Sequence, residues 1–175
     1  MPGIARAAGV SEATAYRYFP DLLSIMQEGF AGVWPGADEI LPGLDACADP
    51  VERVAIATEF LARNVLQTEG AVRTMIALTI ARSDAAGVRP GHRLGLIEAA
   101  LVPMADKECS RLRQLKNDLS VVISAEALFT LLDLKELTPD AAVASLTETA
   151  KNLVRGAVCE LGSKNRNGTL CTASS

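Results

Sequence analysis

Aromatic residues are scarce, with tryptophan, tyrosine and phenylalanine making up 4% of the 175-residue chain. An all-β core needs aromatic and β-branched runs that this composition lacks. His92 is the only histidine, and Cys47, Cys109, Cys159 and Cys171 are scattered without a C-x-x-C pair, so neither a zinc site nor a redox motif is encoded. No metal or cofactor is therefore expected. The phosphate-binding G-x-x-x-x-G-K-[ST], the nucleophile G-x-S-x-G and the metalloprotease H-E-x-x-H are all missing, which argues against an enzyme. No apolar run approaches the roughly 20 residues that span a bilayer, so no membrane partner is expected. The N-terminus lacks a basic region followed by an apolar stretch, so the expected location is cytoplasmic, and the acceptor-like Asn167-Gly168-Thr169 reads as chance. The net charge of -4 gives no overall attraction to polyanions, so any nucleic-acid binding has to be local.

What is abundant is aliphatic. At 49% hydrophobic, the chain draws its apolar weight from Ala, Leu, Val and Ile, which suits closely packed helices. The expected fold class is all-α. Leu22 to Val33 carries Leu22, Leu23, Ile25, Met26 and Phe30 at helical spacing and should end at Trp34-Pro35-Gly36. Asp49-Pro50-Val51-Glu52 combines a cap, a first-turn proline and an acidic residue. The helix it opens should run to about Thr68, with Val51, Val54, Thr58, Leu61 and Val65 on one stripe and Gly70 closing it. Ala71 to Arg82 reads as a helix, Ser83 to Gly91 as a loop, and His92 to about Leu101 as a helix ended or kinked by Pro103. Leu112, Leu115, Leu119, Val122 and Phe129 hold one period to about Leu134. Thr138-Pro139 opens a last helix with Ala142, Leu146, Ala150, Leu153, Ala157 and Leu161 in register, stopped by Gly162. Residues 163–175 are polar and aperiodic, an expected disordered tail.

The most informative stretch lies at the start. Ile4-Ala5-Arg6-Ala7-Ala8-Gly9-Val10-Ser11-Glu12-Ala13-Thr14-Ala15-Tyr16-Arg17-Tyr18-Phe19 reads as helix, tight turn, helix, with Gly9 free to make the turn and Ser11 placed to cap the second helix. Ile4, Ala8, Val10, Ala15 and Phe19 are expected to face inward. Two short helices joined in this way form the unit that lays its second helix in the DNA major groove. They are equally the geometry of an ordinary helical hairpin, and spacing alone leaves both open.

The string Ile4-Ala5-x-Ala7-Ala8-Gly9-Val10-Ser11 followed by Thr14-Ala15-Tyr16-Arg17-Tyr18-Phe19-Pro20-Asp21 resembles the helix-turn-helix signature of TetR-type repressors. The number and order of the later helices are similar as well. The resemblance implies an N-terminal unit over residues 1–34, a ligand-binding and dimerising helical domain over 35–162, and a tail over 163–175. It also implies homodimers that bind operator DNA and a small hydrophobic ligand. By the same resemblance Glu12, Ala13 and Thr14 take base-facing positions, and Tyr16, Arg17 and Tyr18 contact phosphates or neighbouring bases. Two departures stand out. Met1-Pro2-Gly3 stands where the family's first helix should already have passed, so the DNA-binding domain is expected to be incomplete, with part of the apolar surface of Ile4, Ala8, Val10 and Phe19 open. Over residues 1–34, Arg6 and Arg17 face Glu12, Asp21 and Glu28, a balance of 2 minus 3, or -1. Weak DNA binding follows from that.

Elsewhere, a mainly apolar ligand cavity is expected around Phe60, Met75, Leu78, Thr79, Ile97, Glu126 and Leu128. Glu126 sits on an otherwise apolar helix, as a partner for Arg73, Arg82 or Arg93 or as a pocket residue. His92 suggests a surface or capping role, and Arg111, Arg113 and Lys116 a solvated helix face. Leu146, Ala150, Leu153 and Ala157 are the expected dimer contacts. Three classes remain: a ligand-responsive repressor, a dimeric helical ligand-binding protein with weak or no DNA binding, and, much less favoured, an enzyme using the helical cavity.

Overall fold

The computed structural model describes residues 1–33, 42–81, 91–107 and 110–166. Among the described residues there is no strand, and the fold is all-helical. The helices are α1 (Pro2–Ala7), α2 (Glu12–Tyr18), α3 (Leu22–Val33), α4 (Pro50–Gln67), α5 (Glu69–Ala81), α6 (His92–Ala100), α7 (Ser110–Val122), α8 (Ala125–Asp133) and α9 (Pro139–Arg166). Among these residues no helix is long and apolar enough to cross a membrane. The expected endings at Trp34-Pro35-Gly36, the loop over 83–90 and the last residues of the tail lie outside the described residues.

The chain divides into two compact units. The first comprises Met1–Trp34 with Thr68–Pro90, and the second Pro35–Gln67 with Gly91–Ser175. In the first, α1 packs on α2 and α3 on α5. Asp21 starts α3 through a reciprocal box: its Oδ1 accepts from the Ser24 amide at 2.8 Å, and its own amide donates to Ser24 Oγ at 3.3 Å. Gly70 does not close the preceding helix. It lies in the first turn of α5, where Glu69 pairs with Arg73 at 2.8 Å and an acidic residue suits the positive helix end.

The second unit is organised by α4 against α9, its most extensive packing. The pair is antiparallel, since Arg63 of α4 meets Asp140 at the start of α9 at 3.3 Å while Glu52 meets Lys151 at 3.1 Å. Val54, Thr58, Leu61 and Val65 are buried along α4 as their spacing predicts, facing a stripe of Ala142, Leu146, Ala150, Ala157 and Leu161. Val154 takes the fully covered position that the periodicity had given to Leu153, which is half-buried. The alanines let the backbones approach, and each large apolar side chain buried here contributes roughly 1.5–3 kcal/mol.

The single helix expected to about Leu134 is two. It breaks at Ile123-Ser124, where Ser124 Oγ accepts from the Ala127 amide at 3.1 Å and caps α8. Apolar periodicity survives such a break because Ile123 and Leu128 both remain in the core. Pro103 lies in a 3-10 segment, Val102–Lys107, that follows α6. α9 continues past Gly162, where a stop was expected, to Arg166.

One buried charge has no counterpart in the sequence reading. Arg53 on α4 is 4% exposed, and its guanidinium donates to backbone carbonyls alone: Ala99 at 2.7 Å, Ala100 at 3.1 Å, Cys47 at 3.0 Å, and Leu44. Ala99 and Ala100 close α6, whose last carbonyls lack intrahelical donors and carry the negative end of the helix dipole. A fork of five donors satisfies them together with the turn at residues 42–47.

Candidate functional site

The first candidate is the helix pair at the start of the chain. α1 ends at Ala7 with Gly9 in the left-handed region at φ 67°. The Val10 amide donates to Ala5 O at 3.0 Å and the Gly9 amide to Arg6 O at 3.1 Å. This is a Schellman closure, in which an L side chain at residue 9 would be strained. Ser11 then caps α2, its Oγ accepting from the Thr14 amide at 3.1 Å. Ala5 and Ala15, 1% and 8% exposed, fill the space between the helices, so methyl groups set their separation.

Glu12, Ala13, Tyr16, Arg17 and Tyr18 all lie exposed on α2. Residues 12, 13, 16 and 17 share one helical face, as the i, i+1, i+4, i+5 spacing requires. The Arg17 guanidinium sits 5.1 Å from the centre of the Tyr18 ring, a cation–π contact that holds the charge at the outer end of α2. Thr14 differs from the others. It is half-buried, and its hydroxyl is 2.8 Å from Ser11 Oγ, so it is engaged in the helix start. Of the residues expected to face inward, Ala15 is buried and Phe19 half-buried, but Ala8 is exposed, Ile4 is 38% exposed and Val10 43%. The inward residue of α1 is Ala5. α2 touches only that side of the short helix, and Ile4 lies a hundred degrees round from it.

The second candidate is an open groove of about 620 Å³ in the second unit, between the α7–α8 corner and the middle of α9. Val122, Ala127, Leu131 and Leu146 supply apolar surface, with Val121, 70% exposed, at the edge. Three of the hydroxyls around it are already engaged with backbone: Ser120 with Asn117 O, Thr130 with Glu126 O and Thr149 with Ser145 O, at 2.7, 2.9 and 2.8 Å. Covering them therefore costs little in lost hydrogen bonds. Glu126 and Arg93 face each other at the groove with 3.4 Å between Oε2 and Nη1, both about one-third exposed. Both expectations for Glu126, ion pair and pocket residue, meet there; Arg73 pairs with Glu69 instead, and Arg82 lies outside the described residues.

The expected ligand cavity is not assembled at this groove. Of its seven residues only Glu126 lines it; Ile97 and Leu128 are packed at 2% and 0% exposure. Phe60 is half-buried on α4, while Met75, Leu78 and Thr79 are on α5 in the first unit, where the Thr79 hydroxyl donates to Ile76 O at 3.0 Å. The expected dimer contacts differ in how far the chain itself covers them. Ala150 and Ala157 are 0% exposed and consumed by packing within the chain, while Leu146 reaches the groove and Leu153 is half-covered. Nor is the basic cluster a free patch: Arg111 meets Glu160 of α9 and Lys116 meets Glu98 of α6, each at 2.6 Å. Partial burial holds the His92 imidazole below its ordinary range. Among the described residues no group of three or more His, Cys, Asp or Glu gathers as metal ligands.

No family model, curated protein or solved structure matches the chain.

Proposed function

We propose that the protein is a ligand-responsive transcriptional regulator, a repressor in its simplest form, that binds operator DNA as a homodimer. The observation that carries this reading is the exposed face of α2 bearing Glu12, Ala13, Tyr16 and Arg17, held by a glycine turn before it and a serine cap at its first turn. Arg17 and the Tyr18 hydroxyl suit phosphate contacts that position the helix, and Glu12, Ala13 and Tyr16 suit base edges. Thr14, tied to Ser11, supports the helix start. Binding is expected to need low salt, because a local charge of -1 offers little phosphate attraction. In a salt titration of duplex binding followed by fluorescence anisotropy, Arg17→Ala should weaken affinity for all sequences alike and reduce the slope of log K against log salt by about one. An unchanged slope would remove Arg17 from the interface.

The dimer enters through the groove between α7, α8 and α9. Its pre-satisfied hydroxyls and the exposed Val121 suit a helix of a second copy. Light scattering should give a dimer for the unmodified chain and a monomer for Val121→Asp at micromolar concentration; a dimer of equal strength in both would place the contact elsewhere. A second reading, a dimeric helical ligand-binding protein with weak or no DNA binding, is favoured by the negative balance over residues 1–34 and the open surface of Ile4 and Val10.

A further inference from the structure

We propose that residues 42–49 form a strap that opens and closes as a unit on the second unit of the fold, with Arg53 as its latch. The strap is one helical turn at 42–45, a turn at residue 46 and three residues without regular structure, and its hold on the core runs through one apolar side chain and one guanidinium. Leu44, fully buried, is its plug. Ahead of Asp49, which is the hinge and accepts from the Val51 and Arg53 amides at 3.0 Å each, its polar attachment to the core is the Leu44 and Cys47 carbonyls; both accept from the same nitrogen of Arg53, while the other arms of that guanidinium hold Ala99 and Ala100 at the end of α6. One side chain thus joins the strap to a helix end that follows it in sequence by some fifty residues. Apart from Leu44 and the half-buried Cys47, residues 42–48 are exposed, so opening gives up few apolar contacts and leaves the α4–α9 packing intact.

The latch depends on guanidinium geometry. Lysine carries one point of charge with three donors on a flexible stem and does not span carbonyls on two sides of a planar group. Released, the carbonyls of Leu44 and Cys47 exchange their protein partner for water, whereas a lysine held inside would leave some of them unpaired.

Hydrogen exchange of the full chain, resolved by peptide mass spectrometry, tests the proposal. Arg53→Lys should speed exchange over 42–49 by about tenfold or more while 142–157 in α9 keeps its wild-type rate. Leu44→Ala, which withdraws the plug and keeps the arginine, should give the same pattern and serves if the lysine variant folds poorly. In both variants Cys47 should react faster with iodoacetamide while the exposed Cys159 reacts unchanged. A parallel rise in exchange over 42–49 and 142–157 would make Arg53 a contributor to global stability only. Unchanged exchange over 42–49 in both variants would show that no latch exists.

Discussion

Leu115→Ala should lower stability by about 2–5 kcal/mol, the largest loss expected from a single apolar truncation here. Leu115 is 0% exposed on α7, where that helix packs against both α6 and α9. A side chain covered on every side leaves a cavity when it is shortened, and the cavity penalty adds to the lost burial. A loss of that size is a large share of the ~5–15 kcal/mol that holds a domain folded. In a chain of this length the melting temperature should fall by roughly 4 °C or more. Val102→Ala, at a position 60% exposed, is the control and should stay within about 0.5 kcal/mol. Similar melting temperatures for the two variants would mean that α7 is not packed as described.

Ala150→Leu should cost about 1–3 kcal/mol through overpacking. Ala150 is 0% exposed on the stripe of α9 that meets α4, and a leucine there forces the two backbones apart or drives neighbouring side chains from their rotamers. The same substitution separates two accounts of the stripe. If Ala150 packs within the chain, the loss of melting temperature is the same at every protein concentration. If it faced a second copy, the loss would shrink as concentration rises, because association stabilises the folded state by mass action.

That distinction shows what periodicity can and cannot reveal. Val54, Thr58, Leu61 and Val65 were legible because a stripe on a helix must be buried somewhere, although Val51 at its start is only half-buried, and the caps at Ser11 and Thr138 were legible because their chemistry is local. Spacing does not say what covers a stripe. Ala150 and Ala157, read as contacts between copies, are covered by the chain itself. The break at Ser124 was hidden because the apolar register continues across it. Arg53 was hidden for a different reason: its partners are carbonyls, which every residue carries, so no complementary charge in the sequence marks it. In the N-terminal pair, the turn at Gly9 and the outward face of α2 were readable, whereas the engagement of Thr14 by Ser11 needed coordinates. The expected cavity drew on residues from elements that the fold assigns to different units.

If the outward face of α2 reads DNA, as proposed, selection from a random duplex pool at low salt will show it. The unmodified chain should enrich sequences with two-fold symmetry, as a dimer of recognition helices requires. Tyr16→Ala should shift which sequences are enriched, and Arg17→Ala should lower recovery without changing them. Recovery of no motif by the unmodified chain, or of the same motif at the same yield by a Tyr16→Ala, Arg17→Ala double variant, would contradict the claim and leave the helical ligand-binding reading in its place.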